Sequence, residues 1–458
     1  MEAGAPGATR ETKNHTANRR PGASRQALIR VADDQQHPGS YEEYTVIINV
    51  RRRFQASRRS SALAAMACAA VALTSSASTA AADNEPTAEP AQDTPIHLTL
   101  PAPTGPHRIG KTVLHLTDPS RREPWVPSHP LRTLMISIWY PAQDATRYPS
   151  APYMPAASGA EFLTNDTGLR PGQAALPTTH AHVDAPVDRH CGKVPVVVYA
   201  TGKNATRDNT TIIDEDLASH GYIVVTIDFP YDASEVEFPD GHIVNAIPDS
   251  ARGDGSVMLA ERVADTSFVL NQLDALSHGA DPDTDHHPVP RGLAEALDLT
   301  RIGLFGHSLG GVNVASSMYA DSRFDAGMDI DGGAVGPVIE AGLDRPFLIV
   351  DGNKSSRATL PDYQTFWTHL HSWHRDIALL GSGHDSFTDL EAFYPQLTPV
   401  LPLPPSELLH LFGTITPDRA VAWQQAYPRA FADQMLTHHQ RRLLEQPSSR
   451  FPEVVFVP

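Results

Sequence analysis

The sequence predicts an α/β fold: a mostly parallel central sheet of about eight strands with helices on both faces. Three observations carry this. Val194–Ala200, Tyr222–Phe229 and Arg345–Gly352 are apolar through most of their length rather than alternating, as strands buried on both faces are. Stretches with helical spacing of apolar residues stand between such strands. The segment Ile302–Val312, IGLFGHSLGGV, reads as strand, sharp turn and helix, with a serine at the apex.

The chain has 458 residues, 41% of them hydrophobic, enough for one large or two average domains with a sizeable core. Forty prolines and thirty glycines imply long structured loops. A net charge of −17 argues against a nucleic-acid partner. The two cysteines are Cys68 and Cys191; if Cys68 leaves with a signal peptide, one thiol remains and no disulfide forms. No histidine–cysteine cluster has zinc spacing along the chain, so no metal site is expected. Asp281 to His286 resembles the start of a calcium loop, but its sixth position is His286 instead of glycine, so it reads as a solvated loop.

In chain order, residues 1–50 are polar and aperiodic, and read as a leader or as sequence upstream of the true start. Residues 51–82 run from a basic stretch through ALAAMACAAVAL to small residues at Ala80-Ala81-Ala82, the order of an export signal. Arg58-Arg59 leans this towards twin-arginine export. The apolar run is too short to span a bilayer, so no transmembrane segment is expected in the mature chain. A signal starting at residue 51 suggests that translation begins near Val50. Residues 83–95 form an acidic, proline-bearing linker. The globular domain is 96–458.

Within it, residues 97–118 alternate and turn as an antiparallel hairpin would, and Arg132–Ala142 is a second strand. Residues 142–190 are rich in proline, alanine and threonine and read as loop. Val194–Ala200 is a β-branched strand. The helix from Thr211 ends at Gly221, a residue suited to the left-handed position after a helix. Glu235–Val244 holds a Pro-Asp-Gly turn and predicts a surface hairpin. Val257–Leu276 has helical spacing. Strands are expected in Phe324–Gly332, Arg345–Gly352 and His374–His384, and a helix over 420–446 that Pro428 kinks. Residues 391–413 are apolar and proline-rich, either a flap over the site or a covered surface loop.

In the turn around Ser308, side chains at positions 306 and 310 would collide with the returning helix, so glycine is required. The turn lifts the hydroxyl above the sheet and aims the free N–H groups of a helix start at it. The bland alternative is a glycine-rich helix cap. A serine hydroxyl needs a base, and the base needs an acid to fix its tautomer. His384 follows the last expected strand on a glycine-flanked loop and is the candidate base. Asp331 and Asp351 end successive strands, and the residues alone leave the acid open between them. Asp329 lies deeper on the first of these strands, and His307 reads as a residue with a packing or polarity role that points away from the elbow. Two backbone N–H groups are expected to hold an oxyanion, those of Leu309 and Lys203. This chemistry requires neither metal nor organic cofactor.

The chain resembles the platelet-activating-factor acetylhydrolase family, especially its secreted bacterial relatives. The resemblance rests on SIWYPA, VPVVVYATGKNATRDN, EDLASHGYIVVTIDFPYDA, EFPDGHIV, IGLFGHSLGGVNV, FDAGMDIDGG, GSGHDSFTDL and QAYPRAFADQML with PEVVF, in order from about residue 100 to the end. It implies an α/β-hydrolase fold and a calcium-independent serine esterase acting on small-molecule or lipid esters; if residues 391–413 form a flap, that flap would make transient contact with a lipid surface. It also implies Asp331 as the acid, with His384 as base and Lys203 and Leu309 at the oxyanion positions. Thr201 stands where the family usually has histidine. The resemblance implies short acyl chains on phospholipids as substrates for the family, and broader ester substrates for its bacterial relatives. A lipase, cutinase or polyester hydrolase on the same fold is the alternative reading, and a non-catalytic binding protein a more distant one.

Overall fold

Eleven strands form one sheet in the computed structural model, which describes residues 94–126, 128, 131–352 and 356–458. The strands are β1 (Arg108–Asp118), β2 (Arg132–Ala142), β3 (Ser150–Pro152), β4 (Thr178–Val183), β5 (Val194–Ala200), β6 (Ile223–Ile227) and β7 (Leu297–His307). They continue with β8 (Ala326–Ile330), β9 (Phe347–Asp351), β10 (His374–Leu379) and β11 (Val454–Phe456). Their spatial order is β11-β10-β9-β8-β7-β5-β6-β2-β1-β4-β3. From β6 through β10 neighbours run parallel; β2 lies antiparallel to both β1 and β6, and β11 antiparallel to β10.

The helices that matter for the site are α1 (Thr211–Ser219), α2 (Ser256–Ser277), α3 (Leu309–Ala320), α4 (Pro361–Thr368), α5 (Leu390–Leu397), α6 (Pro405–Leu411) and α7 (Pro417–Leu436). Strand β5 shows why its sequence does not alternate. Val196 and Val198 enter one core with Phe268 and Leu273 of α2, while Val197 and Tyr199 enter the other with Leu217 of α1 and Trp423 of α7. Both faces are dry, so each valine there contributes about 1.5–3 kcal/mol of burial. No helix among the described residues is long and apolar enough to cross a membrane.

Several expectations are corrected. The hairpin over 97–118 does not form. Pro101, Pro103 and Pro106 break the first half, which runs along α1 through Thr104 and Gly105 bonded to Asp216 and Ser219. The second half, β1, pairs instead with β2 over its whole length. The stretch 142–190 is not all loop: it supplies β3 and β4. The last helix stops at Leu436, where Thr437 folds back onto the Asp433 carbonyl and His438 takes a φ of 60°. The acidic loop after α2 is not merely solvated. Asp283 is buried and accepts the His115 N–H of β1, while Asp281 takes His286. Residues 391–413 form α5 and α6, and Phe393, Leu397 and Leu401 are buried against Tyr153, Met154 and Phe162. The expected leader, export signal and Cys68, and the linker up to residue 93, lie outside the described residues.

Candidate active site

The parallel strands deliver their carboxyl ends to one edge, and the residues singled out in the sequence meet there. Ser308 sits between β7 and α3 with φ 58° and ψ −125°, a region that side chains strongly disfavour. Its N–H is held by the Ile330 carbonyl at 2.9 Å. A Cβ at Gly306 would lie 2.3 Å from the Gly310 carbonyl oxygen, in the returning helix as expected. A Cβ at Gly310 would instead strike the Ala200 carbonyl, 2.0 Å away, at the end of the neighbouring strand. The elbow is therefore closed from two sides.

Ser308 Oγ lies 2.9 Å from His384 Nε2, and His384 Nδ1 lies 2.5 Å from Asp331 Oδ2. A carboxylate only accepts, so the proton sits on Nδ1 and Nε2 faces the serine hydroxyl as acceptor. The other Asp331 oxygen accepts the Gly352 N–H at 3.0 Å. Burial alone would raise the Asp331 carboxyl; the His384 ring, His307 and the Gly352 N–H outweigh it and hold the acid below its ordinary value. All three side chains are at least nine-tenths buried.

Asp351 is not brought to His384. It is buried one strand further on, and neither of its carboxyl oxygens has a hydrogen-bond partner among the described residues. Burial, then the nearby Asp376, Asp331 and Asp329, push it up to about 9. Asp329 accepts the Tyr363 hydroxyl at 2.6 Å and the Gly333 N–H at 2.9 Å, and burial pushes it up to about 8.

Two contributions were not legible beforehand. His307 takes a polar role with a specific partner: its Nε2–H donates to the His384 carbonyl at 2.9 Å, and the two rings stand 4.6 Å apart. Burial, then His384, push His307 down to about 4, so it is a neutral strut for the loop that carries His384. Gly311 makes room for an acid, since a Cβ there would fall 1.8 Å from Asp329 Oδ1. The doubled glycine after the serine was the signal for it.

Lys203 and Leu309 flank Ser308 from the β5 loop and the start of α3. No turn, loop or cap hydrogen bond among the described residues engages either N–H. The Lys203 ammonium turns aside to Asp249 at 3.0 Å, which removes its bulk from the serine. Folding also brings His107, Asp188 and Cys191 within 4.8 Å of one another, a grouping invisible to local spacing. They sit before β1 and β5, at the end of the sheet away from Ser308, and Asp188 already accepts His190.

A family profile described as platelet-activating factor acetylhydrolase, isoform II, matches residues 94–236 and 256–434. The chain belongs to this family. Its relatives include a probable 1-alkyl-2-acetylglycerophosphocholine esterase of Arthroderma benhamiae, 28% identical over 402 residues, covering 80% of this chain and 96% of that one. A platelet-activating factor acetylhydrolase of Cavia porcellus is 22% identical, covering 64% and 69%. Among solved structures, a ferulic acid esterase from Streptomyces cinnamoneus is 32% identical with a TM-score of 0.65, covering 79% of this chain and 99% of that one. The family member described here is accordingly a carboxylic-ester hydrolase with the α/β-hydrolase fold.

Proposed function

We propose that it is an exported serine esterase that cleaves short acyl esters through an acyl-enzyme on Ser308. The observation that carries this is the unbroken line of hydrogen bonds from Ser308 Oγ through both nitrogens of His384 to Asp331. His384 takes the serine proton as Oγ attacks the ester carbonyl, then returns it to the leaving alkoxide. Asp331 keeps the imidazole in the needed tautomer and stabilises its cation. The N–H groups of Lys203 and Leu309 receive the tetrahedral oxyanion, and water releases the acid. Asp351, without contact to His384, is a neutral bystander in this scheme.

For substrate, the Arthroderma benhamiae relative supports an acetyl ester of a glycerophospholipid. The ferulic acid esterase supports a second reading, an aromatic acyl ester, because the match spans nearly all of that chain. Transient contact with a lipid surface belongs to the first reading: Leu380 and Leu409, near the His384 loop, are both about half exposed. Export rests on the basic, apolar and small-residue order of 51–82, with 83–95 as linker and 96–458 as the catalytic domain. Mass spectrometry of the mature N-terminus tests it; a chain retaining residues 1–50 would count against it.

The deciding assay uses residues 83–458 and the Ser308→Ala variant on p-nitrophenyl esters of rising acyl length, a 2-acetyl phospholipid and methyl ferulate. Turnover greatest on acetyl esters and lost in the variant is the expected result. A preference for ferulate selects the second reading, and long chains a lipase. Turnover surviving Ser308→Ala overturns the mechanism.

A further inference from the structure

The loop that would offer the Lys203 N–H is held from behind by one side chain. Arg262, on α2 and buried, donates Nη1 to the Thr201 carbonyl at 2.5 Å and Nη2 to the Gly202 carbonyl at 3.0 Å. Its Nε is anchored on Asp232 at 2.5 Å. The other Asp232 oxygen accepts Arg252 Nη1 at 3.1 Å, and Arg252 Nη2 reaches Asn204 Oδ1 at 2.9 Å. Two guanidiniums sharing one carboxylate thus grip both ends of Thr201–Asn204. The geometry of a peptide gives this grip a direction. The Gly202 carbonyl and the Lys203 N–H belong to one planar trans unit and point opposite ways. Fixing the carbonyl towards Arg262 turns the N–H away from it. The ester side is close, since a Cβ on Gly202 would lie 3.4 Å from Ser308 Cβ.

One helical turn along α2, Thr266 Oγ1 accepts the Asn313 side-chain amide of α3 at 3.0 Å. Residues 262 and 266 share a face of the helix. One face of α2 therefore touches both parts that supply the two N–H groups: the β5 loop through Arg262 and helix α3 through Thr266.

We infer that Arg262 is a positioning residue for ester hydrolysis, and that its fork on the Thr201 and Gly202 carbonyls aims the Lys203 N–H at the developing oxyanion. This rests on the proposed role of Lys203 as an oxyanion donor. Lysine at 262 keeps the charge and has three donors, but they radiate from one atom and do not reproduce the planar fork that spans two adjacent carbonyls beside Asp232.

The test compares p-nitrophenyl acetate with its thionoacetate, in which C=S replaces C=O. Sulfur accepts hydrogen bonds poorly, so the ratio of kcat/KM for oxygen over sulfur reports on the oxyanion donors. The ratio is taken within one sample and is independent of how much of it is folded. Arg262→Lys is expected to lower the oxygen/sulfur ratio by about tenfold or more, with kcat on the oxygen ester falling about a hundredfold and KM moving less than about threefold. Arg121→Lys, on an ion pair to the same helix that does not reach the loop, should leave the ratio unchanged. An Arg262→Lys enzyme with the wild-type ratio overturns the inference, whatever its stability. Asp232→Asn, which leaves Arg262 in place but unanchored, carries the same criterion should Arg262→Lys yield no soluble protein. Turnover in Ser308→Ala would instead sink the underlying mechanism, so the two failures are distinguishable.

Discussion

The two flanks of Ser308 are built from opposite kinds of titratable side chain, with one ionised carboxylate, that of Asp331, facing His384. On the His384 side, Asp329, Asp331, Asp351 and Asp376 are buried in neighbouring strands, with Arg357 paired to Asp376 at the far end. On the Lys203 side, Arg252 and Arg262 are buried around the carboxylate of Asp232, and the half-buried Asp249 lies 3.6 Å from Arg252 Nε. In the proposed mechanism the imidazole becomes a cation and the ester carbonyl an anion, so each flank opposes the charge expected beside it. The acid flank teaches a second lesson. Its carboxyls share burial, but only Asp331 receives both a ring N–H and the Gly352 N–H and is pulled below its ordinary value. Asp329 and Asp351 are pushed up to about 8 and about 9. Contact with the His384 ring, rather than burial or hydrogen bonding alone, selects which acid is ionised.

The largest break in this comparison is Ser308→Ala, expected to remove about 10⁶ in kcat on an activated ester while the fold persists. Asp331→Asn follows, with a loss of about 10⁴ from a wrongly held imidazole tautomer, measured as kcat per folded site by steady-state kinetics. Asp351→Asn should change kcat less than about threefold in the same assay; a loss near that of Asp331→Asn would transfer the role of acid between them.

Stability against pH sharpens the contrast. The folded Asp351 and Asp329 bind protons more tightly than the unfolded chain does. Their contribution is therefore full below the ordinary carboxylate value near 4 and is lost as pH rises through about 8 to 9. The melting temperature should fall from pH 5 to pH 8, and Asp351→Asn should shrink that fall; circular dichroism at both pH values checks it. The smallest expected effect is Tyr363→Phe, which strips one hydrogen bond from Asp329. It should cost about 1–3 kcal/mol in urea unfolding with kcat nearly intact.

The apolar runs of β5, β6 and β9 were readable because both of their faces are dry. The elbow was readable because glycine at 306 and 310 answers a backbone contact only a few residues away or one strand across. Strands β3, β4 and β11 were not, since they are short elements at the two margins of the sheet whose pairing partners are distant in sequence. The residues alone left Asp331 and Asp351 level. Both end strands at the same edge, and the choice depends on where the His384 loop folds back. Arg262 was hidden for a related reason. An arginine in an amphipathic helix reads as solvent-facing, and only the tertiary fold reveals the carbonyls it meets.

The backbone twist at Ser308 sets the interests of the molecule against those of its chemistry. Glycine would accept φ 58° and ψ −125° freely, and the serine holds it at a cost of about 1–3 kcal/mol. The Ser308→Gly chain, inert under the proposed mechanism, should thus resist heat better than the wild-type protein. A laboratory selection that rewards only soluble or heat-tolerant chains would be drawn towards discarding the hydroxyl, and must keep turnover in the screen to retain it.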